Sequence, residues 1–464
     1  MPDQSLPLRK IKERQEPPSD QFLRMPIGKA IFTLAWPATL TVLLENLATT
    51  VDMIMVGRLG AAEVAAVGFS SMIYWLLSSL LIGIEAAATA IVARKIGANK
   101  VGEANTALAQ CLVLAFVMAA VVAALAFSLA PQIFGLFGIE PDVFELSVSY
   151  LRILCISQVF FSVVVVGSGA LRGAGDTRTP MYIMLAGTVV HIVINYLLIL
   201  GNFGFPQLGV DGAAIGTAIS MAVTAFLYLW LLFQGNLRLR LLLEDFKWNW
   251  HRTWQTIRIA VPASAEMIVL QLGLLFYAKF IVAFGTIALS GYQVGMQILS
   301  LSFIPHTGFG IAASTLIGQN LGAERKKEAK QAGWICVFWG ALSMGVLGIF
   351  YMIFARELAS IFVDNAEVVE VAAIFIRVTA ICQAAMSIHF TLSGALRGAG
   401  DTRSPLYITV LGMYGVRVPA VWIGTVFFGM GITGAFSLLI FDYILRNVII
   451  LTRYTRGKWL ETKI

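Results

Sequence analysis

Four carboxylates fall inside apolar stretches of this chain: Glu45, Asp52, Glu85 and Glu266. An ionisable group at membrane depth is costly, so each is a candidate functional position. Glu45 and Asp52 are seven residues apart and share one face of a helix, with Thr49 between them. A carboxylate there can ligate Na+ through hard oxygen or hold and release a proton. His191 and Asn195 are also helix-face neighbours, and an imidazole is a natural proton carrier. Gln158 and Thr217 complete a polar set. The candidate cation-coupling residues are therefore Asp52, Glu45, His191, Asn195, Gln158 and Thr217, with Na+ at Asp52 as the metal alternative. Each has a bland reading beside it: a hydrated helix-end acid for Asp52, a hydrogen-bonded glutamate for Glu45, a satisfied core histidine for His191.

A second set suits an organic ligand. Glu266 follows Pro262 by four residues, and a carboxylate facing a cavity would attract a cationic compound and let H+ compete for the same place. Tyr277, Tyr292, Gln293, Met296, Met386 and His389 supply flat, polarisable and polar surfaces near it in sequence pattern, with core packing as the competing use of each. Glu85 reads as structural, and Asp442 is four residues from Arg446, which suits a local ion pair. Arg417, just before Pro419, needs an acid that the sequence does not name. The chain has no HExxH, paired CxxC, nucleophile elbow or P-loop. Catalysis and ATP-driven work are not expected, no cofactor is called for, and an ion gradient (H+ or Na+) is left to supply the energy.

The elements that must position these residues are membrane helices. The 464 residues are 58% hydrophobic and 13% charged, about half the charge of an ordinary soluble domain. Apolar runs long enough to span a bilayer recur, and in lipid such runs must be helices that satisfy their own backbone. Twelve are expected, at roughly 30–56, 62–92, 104–130, 143–170, 179–201, 211–234, 255–282, 287–317, 329–353, 367–395, 404–427 and 431–452. The division follows: a disordered tail over 1–28, a six-helix bundle over 29–234, an interfacial linker over 235–254, a second bundle over 255–453 and a tail over 454–464. Lys and Arg concentrate in alternate loops, which places both termini in the cytoplasm. The net charge of +7 is topological: no basic patch with interleaved aromatics points to nucleic acid. The four cysteines all lie within apolar runs and form no disulfide framework.

The chain is duplicated. GALRGAGDTR occurs at Gly169–Arg178 and again at Gly394–Arg403, an offset of 225 residues (394 minus 169). At that offset Pro37 matches Pro262, Gly97 matches Gly322, Cys111 matches Cys336 and Gln158 matches Gln383. Six spans per half give both halves one orientation, related by an axis along the membrane normal. The acids are not duplicated: Asp52 faces Tyr277 in the alignment, Glu266 faces Thr41, and Glu85 faces Gly310. The scaffold is repeated and the chemistry is not.

These motifs resemble a known family. VDMIMVGRLGAAEVAAVG (51–68), GNFGFPQLGVDGAAIGT (201–217), GIAASTLIGQNLGA (310–323) and LSGALRGAGDTRSPLY are similar to segments of bacterial MATE transporters, the multidrug and toxin extrusion family. The resemblance covers nearly everything after residue 28. It implies an all-α fold of twelve helices as two six-helix bundles around a central cavity. It also implies a monomer in the bacterial inner membrane, in contact with lipid and small organic substrates, that exports cationic compounds in exchange for H+ or Na+. The acid at Asp52 corresponds to the family's coupling carboxylate. Its helix 5 motif commonly has Asn and Asp where this chain has His191 and Asn195, a departure that favours H+. A helix 10 acid found in some relatives is replaced here by Met386, with His389 one turn on. The alternative is a flippase of lipid-linked intermediates from the same superfamily.

Overall fold

The computed structural model describes residues 21–462 and 464, and the expected N-terminal tail lies, up to residue 20, outside the described residues. Among the described residues, twelve helices are long and apolar enough to cross a membrane. They are α1 (Ile27–Val56), α2 (Ala61–Gly97), α3 (Val101–Gly135), α4 (Pro141–Gly173), α5 (Arg178–Leu200), α6 (Gly209–Gln234), α7 (Trp250–Val282), α8 (Thr286–Gly322), α9 (Lys326–Ile353), α10 (Ala366–Gly398), α11 (Arg403–Val426) and α12 (Ile432–Arg456). Among the described residues there is no strand.

Several helices outrun their apolar runs at the end carrying the decapeptides, as at Gly97 and Gly322, because polar residues there continue the hydrogen-bond ladder beyond the bilayer-length segment. The start of the chain is less loose than expected: Gln21–Arg24 form a helical turn and Phe22 is buried. The linker is shorter too, since α7 begins at Trp250, capped by the Asn249 side chain on the Arg252 amide. The C-terminal segment is anchored by Trp459, which is fully buried and stacks on Tyr454 at 4.8 Å. Two irregularities mark the last helices. In α11 the segment Leu411–Arg417 is a π-helix that leads into Pro419, whose missing N–H disturbs the preceding turn. In α12 the helix restarts at Leu439.

Each decapeptide builds the same turn. Gly175 (φ +92°) and Gly400 (φ +85°) take the left-handed conformation that ends a helix. The Asp176 amide donates to the Leu171 carbonyl and the Asp401 amide to that of Leu396, at 2.8 and 2.9 Å. The aspartates then accept from the next helix: Asp176 from the Thr179 amide at 2.9 Å, Asp401 from that of Ser404 at 3.2 Å. Pro180 and Pro405 fall in the first turn, where no amide is missed.

The halves meet through glycines related by the repeat. A methyl group on Gly83 would overlap Ser264 and Ala260 of α7, and one on Gly308 would overlap Thr39 and Ala35 of α1. Nearer the decapeptides, Gly97 lies against the Gln319 backbone and Gly322 against that of Arg94. Two cross-bonds close this end: Thr315 Oγ1 donates to the Arg172 carbonyl and Gln319 Nε2 to that of Gly173, both at 2.9 Å. Backbone approach of this kind is how membrane helices gain contact area without a hydrophobic drive.

Candidate functional site

On the far side of that closure the first half is hollow. A cavity of about 320 Å³ runs from Arg172 and Glu85 past Glu45 and Thr49 to Asp52. The seven-residue spacing of Glu45 and Asp52 on α1 places both on its wall, as the helical period requires.

Asp52 is held by α5. His191 Nε2 lies 2.9 Å from both carboxylate oxygens, and Asn195 Nδ2 donates to Oδ1 at 2.5 Å. The four-residue spacing on α5 stacks these donors one above the other. His191 Nδ1 is 3.1 Å from Ser220 Oγ of α6. The Ser220 hydroxyl itself donates to the Thr217 carbonyl at 2.9 Å. Ser220 therefore bridges the Thr217 carbonyl and the imidazole, and His191 bridges Ser220 and the carboxylate. The arrangement is a hydrogen-bonded chain, Thr217 carbonyl to Ser220 to His191 to Asp52, ending on the cavity wall, and an imidazole with both nitrogens engaged can relay a proton along it. The N–H groups at Asp52 occupy positions that oxygen ligands would fill around a cation.

Of the other sequence candidates, only Thr217 adjoins this chain. Thr217 lines the cavity and donates to the Ala213 carbonyl. Gln158 is outside the chain: its amide oxygen accepts from Ser78 at 3.2 Å, in the contact between α4 and α2. Glu266 does not face the cavity; it is buried against Arg397, Oε2 to NH1 at 3.0 Å. Tyr277, Tyr292 and Met386 belong to the packed core of the second half, with Met296 against it. Tyr277 donates to the Ala435 carbonyl at 3.1 Å, and Tyr292 meets Phe375 edge-on at 5.3 Å. His389 is buried beside Phe390, and Gln293 is exposed. None of these seven is among the residues lining the cavity. The physical reason is visible in the repeat: Tyr277 stands where the first half has Asp52, and aromatic packing fills the space that is open there.

Sequence reasoning missed two partners and a residue. Arg172 pairs with Glu85 at 2.9 Å. Arg397 is the partner of Glu266. Both arginines are the fourth residue of the decapeptide, and unpaired membrane acids beside duplicated arginines were the available signal. Ser220 follows Thr217 by three residues, one turn along the same face. Arg417 finds Asp442 at 2.6 Å, which also holds the expected Arg446 at 2.5 Å.

A twelve-span helical protein of two parallel repeats, with a carboxylate–imidazole chain on the wall of a cavity, is built as a membrane transporter rather than an enzyme. The MatE family model matches residues 37–197 and 262–423, one match per half, and the chain belongs to that family. It is similar to a probable multidrug resistance protein NorM of Thermotoga maritima, 30% identical over 93% of each chain. Among solved structures, a MOP superfamily transporter of Pyrococcus furiosus shares the fold at TM-score 0.90, with 22% identity over 96% of this chain and 99% of that one. An outward-facing MATE family multidrug resistance transporter matches at 0.89, with 21% identity over 95% and 99%. The protein is thus a multi-pass membrane transporter of the MATE type.

Proposed function

We propose that this transporter is an H+-coupled antiporter that exports organic cations, with the first-half cavity as the binding place. The observation that carries the reading is the Asp52–His191–Ser220 chain at the cavity wall. A cation attracted by Glu45 and Asp52 and a proton delivered to the same carboxylates compete, and mutual exclusion is sufficient for exchange. The N–H donors around Asp52 favour H+ over Na+. Lys and Arg concentrate at the decapeptide end, which supports a cytoplasmic position for that end and for both termini. The cavity then opens outward, and one chain holds both halves, so a monomer suffices. The multidrug resistance name of the Thermotoga maritima relative supports export of toxic organic compounds. The flippase reading is weaker, because the first-half cavity carries Glu45, Asp52 and Glu85 against a single arginine, Arg172, and is acidic rather than basic.

The test is ethidium transport in proteoliposomes under imposed H+ or Na+ gradients. A pH gradient should drive uptake or release and an Na+ gradient should not. Asp52→Asn should lose coupled movement while the protein still elutes as a folded monodisperse species. Dye movement independent of any gradient, or full transport by Asp52→Asn, would overturn the reading.

A further inference from the structure

A midline cavity of about 350 Å³, bordered by Arg172 and Arg397, continues the first-half cavity. A third hollow lies apart from both. It is a groove of about 330 Å³ on the surface of α3 and α4. Its apolar lining includes Ile153 and the exposed side chains of Phe127 and Ile156. Two charged residues of α4 stand in it, Glu145 and Arg152. Their seven-residue spacing puts both on one helix face, about 10 Å apart along the axis. Arg152 is held by a defect in α3. Pro131 has no N–H, so the Phe127 carbonyl lacks its helical donor. Arg152 Nε supplies one at 3.3 Å, and its guanidinium carbon lies 5.3 Å from the centre of the Phe127 ring. That spends one of five N–H groups. Among the described residues no carboxylate pairs with Arg152. Ser149, also in the groove, spends its hydroxyl proton on Asp211 at 2.7 Å. A cation fixed on an apolar wall that faces lipid needs a counter-charge, and the protein supplies none. The same acid–arginine spacing recurs in α10 at Glu370 and Arg377, but there Arg356 lies 3.9 Å from Glu370, at the place that Pro131 takes in the first half.

We propose that this groove seats a phospholipid whose headgroup bears a primary ammonium, of the phosphatidylethanolamine type. The lipid belongs to the leaflet at the end opposite the decapeptides, where α4 begins. α4 has 33 residues, about 50 Å, against a hydrocarbon core of about 30 Å, so its first turns stand at headgroup level. The order of groups along α4 matches the order within such a lipid. Glu145 lies one turn in from Pro141 and is exposed, Arg152 follows two turns deeper, and Ile156 deeper still. The Glu145 carboxylate accepts from the ammonium. The Arg152 side chain reaches up from below the headgroups, and its remaining N–H groups donate to the phosphate. An acyl chain then lies along Phe127 and Ile156. A choline headgroup offers the same phosphate without an N–H for Glu145, and a glycerol headgroup offers no cation.

The test is native mass spectrometry of the purified full-length protein in detergent, titrated with dioleoyl phosphatidylethanolamine, phosphatidylcholine or phosphatidylglycerol. It counts lipid adducts directly and needs no transport. The wild type should bind the ethanolamine lipid more tightly than the other two. E145Q alters only an exposed side chain. It should weaken the ethanolamine lipid about fivefold, the upper range for an exposed charge pair, and leave the choline lipid unchanged. R152Q keeps an N–H for the Phe127 carbonyl but loses the charge and the fork, and should weaken all three lipids. If it does not fold, E145Q decides alone. E370Q should change nothing, since Arg356 already faces that acid. Equal binding of the ethanolamine and choline lipids by the wild type would overturn the proposal. So would undiminished binding by a folded R152Q, an ethanolamine preference that survives E145Q, or one that E370Q abolishes as well.

Discussion

Gly97→Ala should shift the conformational balance of the transporter without touching either cavity. A methyl group at this position would overlap the Gln319 backbone carbonyl of α8, in the contact that closes the decapeptide end. The opposing atom is main chain in the last turn of α8, where its carbonyl accepts from the Ala323 amide, so it cannot rotate away. Overpacking of this kind costs about 1–3 kcal/mol. The cost falls on the closed end and is relieved when the halves part there. At about 1.4 kcal/mol per factor of ten, the balance should move about 5- to 150-fold towards the alternative state. Spin labels on introduced cysteines at Gly102 and Lys327 report the separation by electron–electron resonance. These positions are related by the repeat, the space around Gly102 is open and Lys327 is exposed. The four native cysteines are buried, which directs labelling to the introduced pair. The longer-distance population should grow and the turnover rate fall. An unchanged distance distribution with unchanged turnover would refute the reasoning that glycine contact sets this closure.

Asp442→Asn should cost about 3–5 kcal/mol, because it leaves two buried guanidiniums, Arg417 and Arg446, without their shared counter-charge. A thermal melt by intrinsic fluorescence checks this, and an unaltered midpoint would contradict it. Gly173→Val combined with Gly398→Val should wedge α4 from α2 and α10 from α8, since the added groups meet the carbonyls of Thr89 and Ser314. Transport should fall by more than tenfold in the proteoliposome assay, and full activity would reject a role for these close crossings.

Much of the fold was legible because lipid leaves few options. A run of apolar residues of bilayer length has to be a helix, and an exact duplicate at an offset of 225 has to be two copies of one unit. The polar cluster at Asp52 was legible for the same reason: Asp52, His191 and Asn195 are polar residues in spans where polarity needs a cause, and the spacing of His191 and Asn195 put both on one face. Gln158 and the tyrosines were less tractable. A polar residue on one helix does not say which neighbour it meets, and Gln158 meets Ser78 rather than the Asp52 chain. Tyr277 and Tyr292 have the chemistry of a binding surface and the burial of a core, and sequence pattern is alike for both.

The sequence alone determined the number of spans, the duplication, the turn chemistry of the decapeptides and the acids that stand apart from the repeat. Those follow from composition, period and local backbone preference, which need no partner. Only the tertiary structure decided that the first half is open where the second is filled, because Asp52 and Tyr277 occupy matched places and differ in what packs around them. Only it paired Glu85 with Arg172 and Glu266 with Arg397, turning duplicated loop arginines into the lining of a midline cavity. Ion pairs between helices far apart in sequence depend on how the bundle closes, and that is set by the sum of its packing contacts rather than by any one segment.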